Sequence, residues 1–455
     1  MDTGILAEIR CVGYDGGMKK EMAGGCVHLI GIGGINMSAV AVLLHRAGVR
    51  VTGSDVKWNE DIDRLEKMGV KVMVGHDAAN IGDAELVLTT SAIRSTNVEL
   101  LEANERKIRV MNNFAFLGEW FARDRVVLVT GTHGKSTTTG MLGVALVDAG
   151  LDPTVIVGSR VTSFPDANLR IGSSDLVVIE GDEYAKHFLS FQPFAVLVNN
   201  IELDHTDVFQ SLGEMQATFV ELLKSIPSSG FVVANREDPH VVQVIEIAAV
   251  EDVRWWGRKE AQTVELTIPG PMNRMNAAGA LTMALALHAD EAKTRSSLRE
   301  FPGIWRRMEK IGEHNGALVY SDYGHHPTAV RETLAAFREA FPGKRIILCF
   351  QPHHRNRTKH LFLDFVPSFD DADTLILAEI FDVAGRDAAE DENITSDDLA
   401  DAIIRHDADR GMQRPVVFTQ RLEDAVAKTL ALADTTTVIV FMSAGDLDGE
   451  ARTRL

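Results

Sequence analysis

The chain has 455 residues, about three domains' worth at roughly 150 each, and its 45% hydrophobic and 24% charged residues exclude a disordered, collagenous or coiled-coil chain. Against 65 Asp plus Glu stand only 46 Lys plus Arg, a formal net charge of −19 that argues against nucleic-acid or anionic-membrane partners yet leaves room for one basic phosphate pocket. Cys11, Cys26 and Cys349 are too scattered for a disulfide framework or zinc site, and neither a bilayer-spanning apolar run nor a signal-peptide core is present, so a cytoplasmic protein is expected.

Short apolar runs alternate with amphipathic helical stretches from about residue 27 onward, which predicts parallel-sheet α/β domains. Residues 1–25 are glycine-rich and patternless and read as an N-terminal extension, with Met18 and Met22 as alternative starts. The first domain, 26–123, opens with a strand at 27–30, a glycine turn and a helix over 38–47. Further strands are predicted at 49–52, 70–74 and 86–89. The turn, from Gly31 through Gly33 and Gly34 to Asn36, approximates G-x-G-x-x-G with Asn36 in the third glycine position. Asp55 follows the next strand, where a ribose-binding acid would stand. Such a turn suits any diphosphate, so an NAD-dependent dehydrogenase and a UDP-sugar site are both open at this point.

The second domain, 124–300, begins with a strand at 126–130 that runs directly into GTHGKSTTT (131–139) and an apolar helix ending near residue 150. Glycines let backbone N–H groups converge on phosphate oxygens, and the helix N-terminus adds its positive dipole end. Lys135 would reach the β and γ phosphates of a nucleotide and the Ser136 hydroxyl would ligate Mg2+, although Val129 stands where the general pattern has glycine. Strands predicted at 176–179, 195–198 and 231–234 continue the sheet. Glu180, Asp182 and Glu183 follow the first of these; Asn200, Glu202, Asp204 and His205 follow the second. The carboxyl ends of parallel strands are where an open sheet binds ligands, so both clusters should face the phosphate loop and hold one or two Mg2+ ions.

The third domain, 301–455, carries predicted strands at 318–320, 346–350, 374–377 and 437–441. Arg306 and Arg307 precede the first; Asp322, His325 and His326 follow it; His353, His354, Arg355 and Arg357 follow the second. Guanidinium forks suit phosphates and carboxylates. Both histidine pairs are adjacent in sequence, and neighbouring side chains of an extended segment point apart, so a structural role or a single useful member of each pair is expected and a histidine metal site in this domain is not.

In this order, HLIGIGGINMS, GSD, TSAI, TGTHGKSTTT, NNIELDH, FPGIWRRME, SDYGHHPT and FQPHHRNRT resemble the Mur ligases, ATP-dependent amide-bond-forming enzymes of peptidoglycan synthesis, over about residues 27–446. The resemblance implies a Rossmann-like N-terminal domain, a P-loop ATPase central domain and a Rossmann-like C-terminal domain. It implies Gly31, Gly33, Gly34 and Ser38 around the diphosphate of a UDP-linked substrate, with Asp55, His76 and Ser91 nearby. Gly131, Thr132, His133, Gly134, Lys135, Ser136 and Thr137 would hold ATP, and Glu180 or Glu183 with His205 would complete a Mg2+ site. Asn273 and Asn276 fall on the adenine side, where Met272 replaces the family's usual histidine. Arg307 and Asp322 would bring the third domain onto ATP, and His326, Arg357 and Arg386 would line the amino-acid side.

The implied reaction joins L-alanine to the carboxylate of UDP-N-acetylmuramate through an acyl phosphate, in a monomer or homodimer. Tyr184 and Ala185 replace the family's usual serine and aspartate. Together with NNIELDHTDVF they lean toward a sister activity that attaches a murein tripeptide to the same UDP-sugar. The first turn and FQPHHRNRT lean back toward alanine. A nucleotide-binding regulatory or scaffold protein without activity is the remaining rival.

Overall fold

A computed structural model describes residues 24–206, 208–382 and 394–455; the expected extension lies almost wholly outside them. Three sheets follow one another along the chain. The first holds β1 (Cys26–Ile30), β2 (Arg50–Asp55), β3 (Lys71–Val74), β4 (Leu86–Thr89) and β5 (Arg109–Asn112) in the parallel order β3-β2-β1-β4-β5. The second holds β6 (Arg125–Thr130), β7 (Thr154–Ile156), β8 (Leu169–Arg170), β9 (Leu176–Glu180), β10 (Ala195–Val198), β11 (Phe231–Asn235) and β12 (Val253–Trp256). Its order is β12-β11-β10-β6-β9-β7-β8, with only β8 antiparallel to its neighbour. The third holds β13 (Glu309–His314), β14 (Ala317–Asp322), β15 (Arg345–Phe350), β16 (Thr374–Ala378), β17 (Val416–Thr419) and β18 (Thr437–Met442) in the order β13-β14-β18-β15-β16-β17, with β13 antiparallel.

The central strands are continuous apolar runs because both of their faces are covered. In β15, Ile346, Leu348 and Phe350 enter one apolar cluster while Ile347 and Cys349 enter another on the opposite face. The strands that composition did not signal, β5, β7, β8, β12, β13 and β17, all lie at a sheet margin or one place in from it. Four of them, β5, β8, β12 and β13, carry Arg109, Arg170, Arg254 or Lys310 within the strand, whereas β7 (Thr154–Ile156) and β17 (Val416–Thr419) are apolar but only three and four residues long. The helix expected over 38–47 is α1 (Ile35–Arg46), which starts directly at the glycine turn.

Two features position the site. β6 lies between β9 and β10, so the acids that end those strands flank the loop that ends β6. The first and second sheets also share one apolar cluster, running from Leu29 and Val40 through Phe116 and Trp120 to Leu128 and Val196. Polar ties reinforce the junctions: Asn168 Nδ2 donates to Ile35 O at 2.7 Å, Arg160 pairs with Asp61 at 3.0 Å, and Ser159 Oγ donates to Trp305 O at 2.9 Å. Among the described residues, no helix is long and apolar enough to cross a membrane.

Candidate active site at the junction of three sheets

The loop after β6 needs glycine at two positions. Gly131 has φ +128° and Gly134 φ +79°; a Cβ at Gly131 would sit 2.8 Å from Asn200 O, and one at Gly134 would overlap Asn276 Oδ1. Helix α2 (Lys135–Asp148) starts behind Gly134 with no side-chain cap, so its leading N–H groups are available to a ligand. Lys135 Nζ folds back to donate to Gly131 O (2.8 Å), Thr132 O (3.2 Å) and Glu183 Oε1 (2.8 Å). Burial opposes the charge on Lys135, but Glu183, Asp182 and Glu180 together hold its pKa above the ordinary value.

Ser136 Oγ donates to Glu180 Oε1 at 2.8 Å, and Glu180 Oε2 accepts from Gly158 N at 2.5 Å. Burial pushes the Glu180 carboxyl up against the pull of Lys135. Asp182, Glu183 and His205 bring three ligand atoms within 4.8 Å of one another, with His205 Nε2 3.5 Å from Glu183 Oε1. Burial resists protonation of His205, yet Asp204 and Glu183 raise its pKa. Glu183 Oε2 and His205 Nδ1 are buried without hydrogen-bond partners, although Lys135 Nζ lies 2.8 Å from that oxygen. An oxygen-rich acid group with donors left over fits a hard divalent cation.

The third domain closes over this cluster. Asp322 accepts from Met308 N (2.9 Å) and Gly324 N (2.7 Å), and burial raises its pKa despite Arg307. The same Arg307 also pulls on Glu180, so one guanidinium acts on acids of both domains. Its head lies 5.2 Å from the Tyr323 ring centroid. Arg357 donates from Nε to Asp204 Oδ1 at 2.9 Å and its Nη2 lies 2.8 Å from the same oxygen, a buried pair that spans the two domains. His326 caps the helix Pro327–Ala340, its Nδ1 accepting from Thr328 N at 3.3 Å; burial and the adjacent His133 push its pKa down to about 4. Arg386 lies outside the described residues.

These groups open onto one cleft of about 1310 Å³, which takes in the loop from Thr132 to Thr137, Glu180, His205, Asn273, Asn276, Arg307, Asp322, His326 and Arg357. Gly131 and Glu183 stand behind it as loop hinge and lysine partner. Asn273 Nδ2 donates to Pro269 O at 2.6 Å, and Asn276 packs on Gly134.

The first-domain candidates gather separately around their own turn. Gly31 N and Ile32 N donate to Ser54 O at 2.8 and 3.0 Å, and Gly33 N donates to Asp55 Oδ2 at 2.9 Å, so Asp55 clamps the turn. Gly34 N donates to Gly31 O at 3.1 Å, and the buried Ser38 donates to Ile35 O at 3.0 Å. His76 Nδ1 meets Ser54 Oγ at 3.1 Å. Ser91 Oγ meets His187 Nε2 at 2.7 Å, and His187 Nδ1 lies 3.3 Å from Asp182 Oδ2, which links this domain to the acid cluster. None of the seven lines the cleft; Ile35 and Asn36 reach it instead. Asn36 is the residue that replaces the third fingerprint glycine.

Sequence reasoning passed over His187, Arg160 and Glu99. Glu99 is fully buried, accepting from Ser54 Oγ at 2.5 Å and Asn80 Nδ2 at 2.5 Å beside His28. An acid at the start of a helix whose N-cap is Asn97 reads as solvated, and nothing local says otherwise.

Three α/β domains that meet over a phosphate loop, an acid–imidazole cluster and a guanidinium supplied by the third domain define a multidomain nucleotide-dependent enzyme. The chain belongs to the Mur ligase family: its catalytic domain matches residues 26–125, its middle domain 129–266, and its glutamate ligase domain 306–445. The chain is 34% identical to the UDP-N-acetylmuramate–L-alanine ligase of Burkholderia thailandensis over 93% of this chain and 96% of that one. The enzyme of the same name from a Geobacter species is 36% identical, over 84% and 87%. A solved UDP-N-acetylmuramate–alanine ligase from Thermotoga maritima superposes with a TM-score of 0.78 at 25% identity, covering 94% of this chain and 97% of that one.

Proposed function

We propose that this protein joins L-alanine to the carboxylate of UDP-N-acetylmuramate, converting ATP to ADP and phosphate, in the peptidoglycan pathway. The activity of the relatives supports this reading and displaces the dehydrogenase alternative. The observation that carries it is convergence: Lys135 and His205 of the second domain and Arg307 of the third share one cleft.

A carboxylate does not react with an amine at neutral pH, so it first acquires a leaving group. The muramyl carboxylate oxygen attacks the γ-phosphorus, the bond to the bridging oxygen breaks, and ADP leaves an acyl phosphate behind. Two anions must meet, and Lys135, the N-terminal amides of α2 and Arg307 neutralise the charge of that approach. Mg2+, held by Ser136, Glu180, Glu183 and His205, supplies Lewis acidity at the phosphates when bound. The unprotonated amino group of L-alanine then adds to the acyl carbon; the tetrahedral adduct collapses, expels phosphate and loses a proton. Arg357 and His326 flank the amino-acid side, Asn273 and Asn276 the base of ATP, and the first glycine turn, with Asp55, His76 and Ser91, the UDP moiety. Water would destroy the acyl phosphate, so the third domain closes further over the cleft before chemistry, and the interdomain pair Asp204–Arg357 ties it to the second domain there. Domain limits at 26–123, 124–300 and 301–455, a cytoplasmic location and a monomeric or homodimeric state complete the reading.

A phosphate-release assay with UDP-N-acetylmuramate, offering L-Ala, Gly, L-Ser or murein tripeptide in turn, tests it. Release should require both substrates and be fastest with L-Ala. Preference for the tripeptide would move the chain to the sister activity that Tyr184 suggests, and release without the UDP-sugar would break the reading.

A further inference from the structure

A second metal-capable group lies across the same domain junction, apart from Asp182, Glu183 and His205. His133, in the phosphate loop, places Nε2 2.8 Å from Glu202 Oε2, and His326 Nδ1, from the third domain, lies 4.0 Å from the same oxygen. One ligand atom from each lies within 4.8 Å of the others, and the two rings are 4.8 Å apart. All three residues line the cleft.

We propose that His133, Glu202 and His326 form a binding site for a borderline-soft divalent cation of the Zn2+ class, and that this ion pins the third domain against the phosphate loop. The proposal goes beyond the ligase reading and does not depend on it.

The donor set is the first argument. Two imidazoles and one carboxylate suit Zn2+ better than Mg2+, which takes oxygen and keeps much of its water. Bonds of about 2.0–2.2 Å put tetrahedral ligand atoms about 3.4 Å apart. The observed 2.8 and 4.0 Å lie on either side of that spacing and all three ligand atoms lie within 4.8 Å of one another, so side-chain rotation would be needed to gather them onto one ion. Three protein ligands at the wall of an open cleft leave the fourth position to water or a substrate oxygen.

Support behind the ligands is the second argument. Glu202 Oε1 accepts from Thr328 Oγ1 at 2.8 Å, which leaves Oε2 to face the histidines. Glu202 N donates to Thr132 Oγ1 and Glu202 O accepts from it, both at 2.9 Å, so the acid is fastened to the phosphate loop. His133 N donates to Asn200 Oδ1 at 2.7 Å. His326 is 3% exposed and its Nε2 is buried without a hydrogen-bond partner, while its Nδ1 accepts only the long 3.3 Å bond from Thr328 N, which an ion at Nδ1 would replace. Adjacent histidines pointing apart exclude a site built from one pair, but this site takes one member of a pair and adds His133 from 193 residues earlier in the chain (326 − 133).

The ion would hold closed a junction that must open for turnover, so micromolar Zn2+ should slow product release. Co2+ serves as the probe, titrated into the full chain without nucleotide, because tetrahedral Co2+ absorbs strongly in the visible. The expected result is about one equivalent with a tetrahedral spectrum, displaced by Zn2+ and kept in His205→Ala. In His326→Asn, whose side chain still caps the helix, and in Glu202→Gln, the affinity should fall at least about tenfold. No tetrahedral band in the wild type would overturn the proposal, as would a band that survives His326→Asn and Glu202→Gln but disappears in His205→Ala. Phosphate release in chelated buffer with Mg2+ tests the ligase reading separately.

Discussion

Two glycine turns in this molecule share one frame, strand to turn to helix, and differ in what surrounds them. After β1, the donors of the turn are taken up at once: Ser54 O accepts from Gly31 and Ile32, and the Asp55 carboxylate accepts from Gly33. After β6, Thr132 N and His133 N are likewise taken up, by Asn200 O and Asn200 Oδ1, and neither helix has a side-chain cap; what differs is a half-buried lysine that stands among three acids. The neighbouring strands make this difference. β2 ends in an acid that reaches back to its turn, whereas β9 and β10 end in acids and an imidazole that bracket the lysine and face a second domain. A glycine turn is a generic cradle for anions, and the adjacent strand ends decide whether it becomes a reactive centre.

The largest test sets one turn against the other. Lys135→Ala should lower phosphate release by about 10³-fold or more, because the transition state loses its cation. Asp55→Ala should act mainly through the KM for the UDP-sugar, with a change in kcat of less than about tenfold. Equal losses of kcat in the two variants would erase the distinction.

The junction that closes the second turn comes next. Arg357→Ala leaves the buried Asp204 without its guanidinium, with only His205 beside it, a penalty of up to about 3–5 kcal/mol unless the third domain swings away. Small-angle scattering should therefore show a larger radius of gyration for the variant, and turnover should fall with it. An unchanged radius together with unchanged thermal stability would mean that the pair does not hold the domains.

The smallest effect sharpens the first turn. Glu99 sits beneath it, bonded to Ser54, with His28 and His76 facing its carboxylate. Burial opposes its charge, but hydrogen bonds from His28, Ser54 and Asn80 outweigh this and bring its pKa down to about 2. A lowered carboxyl pKa means that the unfolded chain binds the proton more readily. The stabilisation is therefore complete above about pH 4.5 and is lost as pH falls toward about 2. Between about pH 5 and about pH 3 the wild type should lose about 2 kcal/mol more unfolding free energy than Glu99→Gln. Denaturant titrations at the two pH values measure it, and parallel losses would remove Glu99 from the network.

Much of the site was legible in the chain because it follows from local rules. A phosphate loop is contiguous, and acids that follow an apolar run lie at a strand end whatever the rest of the fold does. The residues that were illegible depend on what covers them. Glu99 reads as solvated until the first sheet buries it, and only the fold shows that the Asp55 carboxylate reaches back to Gly33 N. Several margin strands escaped because, with an open edge, they tolerate Arg109, Arg254 or Lys310 within the strand, while the apolar β7 and β17 are too short to stand out.

The amino-acid sequence by itself determined the three parallel-sheet domains, the phosphate loop and the chemical kinds of group beside it, since strand burial, glycine conformation and side-chain charge are properties of short segments. Only the tertiary structure decided which groups meet. Arg357 and Asp204 are 153 residues apart in the chain, and Thr328 and Glu202 are 126 apart. Each pair is joined across two domains by the order of strands within the sheets and by the packing of one sheet's carboxyl edge against the next. No local pattern encodes such contacts, because their free energy comes from surfaces that exist only after the separate domains have folded.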